Sequence, residues 1–207
     1  MIRLFLRSLI YLVFIGAVVY GWITQKLLRP TYITPEPETL DSDTLDTPAL
    51  VAHLDNSEWQ TRLAAVKALG ERRDPAALDG LLYALSDDDT DVREAAWQAL
   101  ALLGSAAVPA LTEKLTSSVM LTREAAAKAL EKIGDVYALP ALIAALDDES
   151  AWVRLPVVRA LGVVGDARVV NSLIARLLDS DADVRLAAAA SLRHIGTPDA
   201  LVAVKDL

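Results

Sequence analysis

Apolar and polar positions recur along this chain with a period of about 31 residues from Leu54 onward. One column of the repeat is always arginine, at Arg62, Arg93, Arg123, Arg154 and Arg185. A leucine stands eight residues before each arginine, and another stands seven residues after it. Each period reads as two apolar helices separated by polar turns. A period of this length predicts an all-α solenoid, in which each unit buries its apolar face only against its neighbours.

The helix ends are marked by a column of glycines at Gly104, Gly134, Gly165 and Gly196. A helix commonly ends where the backbone turns left-handed, a conformation that glycine adopts without strain. The residues that follow these glycines are mostly good helix N-caps, such as Asp135 and Asp166. Together these signals predict about five and a half helix-pair repeats over residues 48–207. The final half is a lone helix from Pro198 to Leu207.

The N-terminal segment has a different pattern, with no charged residue from Ser8 to Gln25. An 18-residue helix is roughly 27 Å long, close to the hydrocarbon thickness of a bilayer. No small-residue cleavage site follows this stretch, which disfavours the alternative of a cleaved signal peptide. We therefore predict a single transmembrane helix in residues 1–29, with residues 4–28 contacting the membrane.

Residues 30–47 contain Pro30, Pro35 and Pro37 together with five acidic residues, and Pro48 follows directly. This composition predicts an extended linker between the anchor and the array. Two basic residues flank each end of the predicted span, so the charge rule does not choose an orientation. The short N-terminal head favours an N terminus inside the cell and an extracytoplasmic array, with a cytoplasmic array as the alternative. The predicted location is the cell membrane.

Charge and composition exclude several classes of function. The formal net charge is −8, and the first 30 residues hold four bases and no acid, so the remainder is close to −12. This balance argues against a nucleic-acid partner, which requires clustered Lys and Arg. The absence of cysteine excludes disulfides, thiol nucleophiles and zinc–thiolate sites. Because His53 and His194 lie in separate repeats, we expect no metal site, no cofactor and no catalytic residues.

The stretch from Asp87 to Leu100, with Val92-Arg93 followed by Ala95-Ala96 and Ala99-Leu100, resembles HEAT repeats. The short unit is similar to the subclass named after phycobilisome lyases, and it recurs at residues 179–192 and, less cleanly, at 148–161. The resemblance covers residues 48–207 and implies a right-handed α-solenoid that serves mainly as a binding scaffold. It also implies an alternative function, a bilin lyase or isomerase that attaches chromophores. No catalytic constellation in the sequence supports that alternative.

In the family, the repeated arginine and an acid six residues before it form a ladder between neighbouring units. That acid is present as Asp87, Asp148 and Asp179, whereas Asn56 and Ser117 replace it in the first and third units. We therefore expect an intact ladder in the second, fourth and fifth units and a weaker one elsewhere. A bidentate arginine–carboxylate pair explains the arginine column better than an anion-binding row does. The third turn, residues 116–120, has lost its acids, either by drift or because it is an apolar contact site.

The second helix of each unit is expected to line the concave wall of the solenoid, by the same resemblance. Residues one, four, five and eight after each arginine share one stripe by helical spacing. Its predicted partner-binding residues are Leu63, Val66, Trp97, Leu155, Val158 and Leu186. Such a strip suits a helix or an extended peptide, although the fourth-residue column has the alternative of contacting the neighbouring unit.

The predicted function is accordingly a membrane-tethered scaffold or adaptor that binds a protein partner and assembles or stabilises a membrane complex. A further alternative is a purely structural subunit whose transmembrane helix makes the principal contact. Trp59 and Trp152 are placed at the helix–helix turns, on one edge of the array, where tryptophan is enriched at protein interfaces.

Overall fold

The computed structural model describes residues 44–205. Within this range the backbone forms eleven α-helices and no strand, which confirms the predicted all-α repeat architecture. Each of five units pairs a short first helix with a longer second helix. The first helices are α1 (Thr47–Ala52), α3 (Leu78–Ala84), α5 (Val108–Lys114), α7 (Leu139–Ala145) and α9 (Val170–Arg176). The second helices are α2 (Trp59–Arg72), α4 (Thr90–Leu102), α6 (Met120–Ile133), α8 (Ala151–Val164) and α10 (Ala182–Ile195), and α11 (Pro198–Ala203) follows the fifth unit.

The predicted anchor, residues 1–29, and the linker up to residue 43 lie outside the described residues. Across residues 44–205, no single helix is long and apolar enough to cross a bilayer. One bent pair, Thr90–Leu102 with Gly104–Lys114, meets the length and composition criteria together, but it turns by 117° at its break. The first described helix begins at Thr47, one residue before the predicted start of the array, and Leu45 already contacts the core.

The helix ends follow the turn chemistry of the sequence. Gly134, Gly165 and Gly196 end the second helices of their units with φ between 66° and 69°. Arg73 occupies the same column in the first unit and adopts a left-handed φ of 52° without being glycine. Asp135 then accepts a hydrogen bond from the Tyr137 N–H at 2.9 Å, which opens the next first helix through a short 3-10 turn. Similar 3-10 turns cover Pro75–Ala77, Gly104–Ala107 and Ala167–Val169.

One apolar core runs through the described array from Leu50 to Val204. The leucine seven residues after each arginine is buried in all five units, at Leu69, Leu100, Leu130, Leu161 and Leu192. Small residues let neighbouring second helices approach closely. A Cβ atom added to Gly162 of α8 would lie 2.6 Å from the Ser191 Cβ of α10. The core therefore depends on direct contact between one second helix and the next.

Candidate functional site

The repeated arginine holds the turn of its own unit in all five units. Its Nη1 atom donates a hydrogen bond to the backbone carbonyl six residues earlier, with distances between 2.6 and 3.0 Å. Because this contact is to backbone, it is independent of the side chain at that position. The arginine column is thus explained first by a local hydrogen bond that fixes the turn between the two helices.

The same arginine also reaches forward to the next unit. Three rungs of this ladder pair an arginine with an aspartate 25 residues later, at closest distances of 2.7 Å: Arg62–Asp87, Arg123–Asp148 and Arg154–Asp179. Both carboxylate oxygens accept from the guanidinium in each rung, the bidentate geometry that favours arginine over lysine. One guanidinium therefore connects two consecutive turns.

The acids at Asp87, Asp148 and Asp179 are those expected from the sequence, but their partners correct the expected order. Each acid binds the arginine of the preceding unit, so the arginines of the first and third units are paired. The missing rung lies between the second and third units, where Arg93 faces Ser117 in place of an aspartate. Arg93 donates to the carbonyls of its own turn and to Thr90 Oγ1 at 2.8 Å. Within residues 44–205, its Nε atom has no hydrogen-bond acceptor.

Burial makes these rungs structural. The Asp179 side chain is only 3% exposed, and the hydrogen bond from Arg154 lowers its pKa although burial opposes that shift. For Asp87 and Asp148, burial is the largest influence and favours a higher pKa. The hydrogen bonds and charges of the neighbouring arginines outweigh it, so the pKa of both carboxyls is lowered. The arginine column is therefore occupied internally and offers no open row for anions.

The acid column has a second role, which explains the two exceptions. Asp179 Oδ1 also accepts the N–H of Asp181 at 2.9 Å, a local bond that shapes the turn. Asn56 accepts the N–H of Glu58 at 2.8 Å, and Ser117 Oγ accepts that of Val119 at 3.2 Å. Asparagine and serine therefore preserve the turn but cannot bind the preceding guanidinium as a carboxylate does.

The predicted wall residues divide into buried and accessible groups. Val66 and Val158 are fully buried, so the expectation that they are exposed is wrong. The fourth-residue column instead packs inside the array because neighbouring second helices touch along it. Leu63, Trp97 and Leu155 are half-buried against the core, whereas Leu186 is 67% exposed.

A groove of about 600 Å³ lies along α8 and α10. We call it the wall groove. Stripe positions of the fourth and fifth units line it, namely Leu155, Arg159, Leu186 and Ala190, together with Glu131 from α6. The structure thus brings together the stripe residues of these units. Leu63 and Trp97 lie outside the wall groove, and Trp97 borders a separate cavity of about 220 Å³ along α4 and α6.

The wall groove combines an apolar surface with isolated charges. Burial raises the pKa of Glu131, while the positive charges of Arg159 and two lysines oppose that shift. Asp183 and His194 also line the groove, although sequence reasoning left them outside the stripe. Both positions follow from helical spacing, since each lies three or four residues from a stripe position on α10. Extending the stripe by one turn at each end would have included them.

The wall groove contains no arranged catalytic group. Ser191 and His194 both line it, but the Ser191 hydroxyl is buried and donates to the Val158 carbonyl at 3.1 Å. In the described part of the chain, no hydrogen bond joins Ser191 to His194. No three His, Cys, Asp or Glu side chains of residues 44–205 are grouped in a way that would hold a metal ion. The groove is suited to burying an apolar side chain beside charged ones.

Comparison with solved structures gives a relative of the same architecture. A chain of the complex of CpcE and CpcF of phycocyanin lyase from Nostoc sp. PCC7120 is similar, with 30% sequence identity and a TM-score of 0.58. The match covers 73% of this chain and 65% of that chain, so this protein spans less than two thirds of its relative's length. In that structure CpcE is found in complex with CpcF.

Two other structures are similar in fold alone. An engineered protein aligns with 24% identity and a TM-score of 0.51, covering 78% of this chain and 85% of its own. A designed armadillo repeat protein aligns with 19% identity and a TM-score of 0.51, covering 78% and 87%. No curated protein matches the sequence.

The family model described as HEAT repeats matches four overlapping segments, residues 47–131, 81–155, 109–193 and 139–207. Together these segments cover the whole array described above, including every unit that carries the arginine column. The chain belongs to the HEAT-repeat family.

Proposed function

We propose that this protein is a membrane-tethered scaffold or adaptor, without enzymatic activity, whose wall groove binds a protein partner. The observation that carries the proposal is Leu186, a large apolar side chain that is 67% exposed beside the half-buried Leu155. Exposed apolar surface rimmed by polar residues is typical of interaction sites. A helix or extended segment with an apolar anchor would bury this leucine in an assembly or stabilising subunit of a membrane complex.

Recovery of partners from native membranes tests the wall groove. Full-length protein carrying Leu186→Glu is compared with wild type by affinity purification and quantitative mass spectrometry. Leu178→Glu is the matched control, since Leu178 is 89% exposed but lies outside the wall groove. We expect partners to be lost from the Leu186 variant and retained by the Leu178 variant. Equal recovery with both variants would remove the wall groove as the binding site.

The membrane tether rests on the uncharged stretch from Ser8 to Gln25 and is part of the same proposal. Orientation is measurable because the chain contains no cysteine. A single Val202→Cys substitution, at a residue 74% exposed, gives one site for a membrane-impermeant maleimide. We expect labelling in intact cells, as an extracytoplasmic array requires. Labelling only after lysis would place the array in the cytoplasm, and recovery in the soluble fraction would contradict the tether.

A second candidate function is chromophore attachment, favoured by the 30% identity to a chain of the phycocyanin lyase complex. It predicts that the full-length protein binds a free bilin and shifts the bilin absorbance spectrum. It also predicts phycobiliprotein genes in the same genome. An unchanged spectrum over a range of protein concentrations would leave the scaffold as the remaining candidate.

A further inference from the structure

The edge of the array formed by the turns between first and second helices carries an interruption in its charge. Two residues before each arginine, at the second residue of the second helix, the units place Gln60, Asp91, Leu121, Trp152 and Asp183. The third and fourth units are therefore apolar where the units on both sides are polar or acidic. Val119 adds a third apolar side chain, in the turn that has lost its acids.

These three residues are accessible to a partner. Trp152 is 68% exposed, Val119 is 49% exposed and Leu121 is 43% exposed. The rung between Arg123 and Asp148 joins the turns of the two units, so their apolar residues belong to adjacent positions of one edge. We call Val119, Leu121 and Trp152 the rim patch. Exposed tryptophan beside aliphatic residues is typical of the few residues that contribute most binding energy at interfaces.

Acidic side chains flank the rim patch on both sides. Asp88 and Asp91 of the second unit are exposed, and the hydrogen bond between Ser86 and Thr122, at 3.2 Å, places that unit's turn against the third. Asp183 is exposed in the fifth unit. In the described array, none of these three carboxylates forms an ion pair, because the repeated arginines are occupied by the turns and rungs. The patch is thus an apolar surface in a negative field.

We propose that the rim patch binds a segment of a partner protein in which aliphatic or aromatic side chains lie between Lys or Arg residues. The apolar side chains would cover Trp152 and Leu121, and the basic ones would pair with the flanking carboxylates. Neighbouring second helices are about 10 Å apart, so the three steps from Asp91 to Asp183 span roughly 30 Å. An extended segment of about nine residues covers this distance. The interaction is separate from the wall groove and does not require it to be occupied.

The test is a selection of displayed random peptides, each about twelve residues long, long enough for that span. Selection uses the full-length protein in non-ionic detergent, with removal of peptides that bind the Trp152→Ala/Leu121→Ala variant. We expect the remaining peptides to share an apolar centre with basic flanks. In fluorescence anisotropy, a synthetic copy should bind this variant at least about tenfold more weakly than wild type, the effect expected of a hot-spot tryptophan. Asp88→Asn/Asp91→Asn should weaken binding by about threefold or more at low salt and less at high salt.

Controls separate the rim patch from other surfaces and from unfolding. Val202→Ala removes another exposed apolar side chain, 74% exposed on α11, and should leave peptide binding unchanged. Circular dichroism of every variant should match wild type, because the substituted residues are exposed. The proposal is overturned if the selected peptides are acidic or uncharged, or if they bind the double-alanine variant as tightly as wild type. Loss of binding in Leu186→Glu alone would assign the peptides to the wall groove and equally reject the rim patch.

Discussion

Replacing Ser117 with aspartate should add the rung that the second and third units lack. Arg93 already donates from Nη1 to its own turn, and no acceptor among the described residues meets its Nε. At the other junctions, an aspartate in this column accepts two charged hydrogen bonds at 2.7–3.0 Å. Ser117 has the required backbone, since its hydroxyl already accepts the turn N–H that aspartate accepts elsewhere. The substitution is therefore expected to stabilise the array.

The magnitude follows from two opposing effects. Hydrogen bonds to charged groups contribute about 1.5–3 kcal/mol each, but withdrawing a carboxylate and a guanidinium from water offsets most of that gain. We expect a net increase in the free energy of unfolding of about 1–2 kcal/mol, or a Tm higher by roughly 2–8 °C. Urea denaturation followed by circular dichroism measures the change.

Two variants isolate the new ion pair. Ser117→Asn keeps a turn acceptor of the kind seen at Asn56 but adds no charge, so it should leave stability nearly unchanged. In an Arg93→Gln background, Ser117→Asp should lose its stabilising effect, because the coupling requires the guanidinium. A gain that is equal in Ser117→Asn, or that persists without Arg93, would refute the reasoning.

Four other predictions follow from the same contacts. Asp179→Asn should cost about 3 kcal/mol of unfolding free energy by leaving Arg154 without a carboxylate, and Asp179→Ala about 1 kcal/mol more, because it also loses the turn acceptor; chemical denaturation measures both, and equal losses would show that the turn bond contributes nothing. Because the pKa of Asp179 is lowered on folding, its contribution is complete above the unfolded pKa of about 3.9 and is lost as pH falls through the lower folded value. Acid titration of wild type should therefore fall more steeply than that of Asp179→Asn, and parallel curves would contradict this. Gly162→Ala should cost about 1–3 kcal/mol by forcing a Cβ against Ser191, and Ser191→Gly in the same chain should restore part of it in thermal unfolding; no rescue would mean that the strain lies elsewhere. Arg73→Gly should raise stability by about 0.5–1 kcal/mol because its φ is left-handed, and a loss in urea denaturation would show that its side chain contributes more than the strain.

The sequence was sufficient to predict the number of repeats, the helix ends and the residues of the ladder, because each depends on local chemistry. The glycine column fixes where second helices end, and the aspartates fix where first helices begin. The direction of the rungs did not follow from the columns, since a spacing of 25 residues forward and one of six backward use the same residues. Only the stacked structure shows that Arg62 binds Asp87.

The wall was predicted less completely. Helical spacing places Val158 and Leu186 on one side of their helices, but it does not say how much of that side the next helix covers. Because neighbouring second helices touch, as the small residue at Gly162 permits, Val158 is enclosed while Leu186 remains accessible. His194 was missed because the stripe was ended one turn too early.

The way in which each arginine joins its own turn to the following one has a consequence for how such arrays change length during evolution. Every junction is chemically complete within one period, so duplication of a whole period inserts a copy that already carries both halves of its interface. Loss of a fractional period would instead leave a desolvated carboxylate opposite apolar groups, which selection would remove. Arrays built in this way should therefore gain and lose units in whole numbers, and the junction between the second and third units marks where an exchange would disturb the fewest interactions.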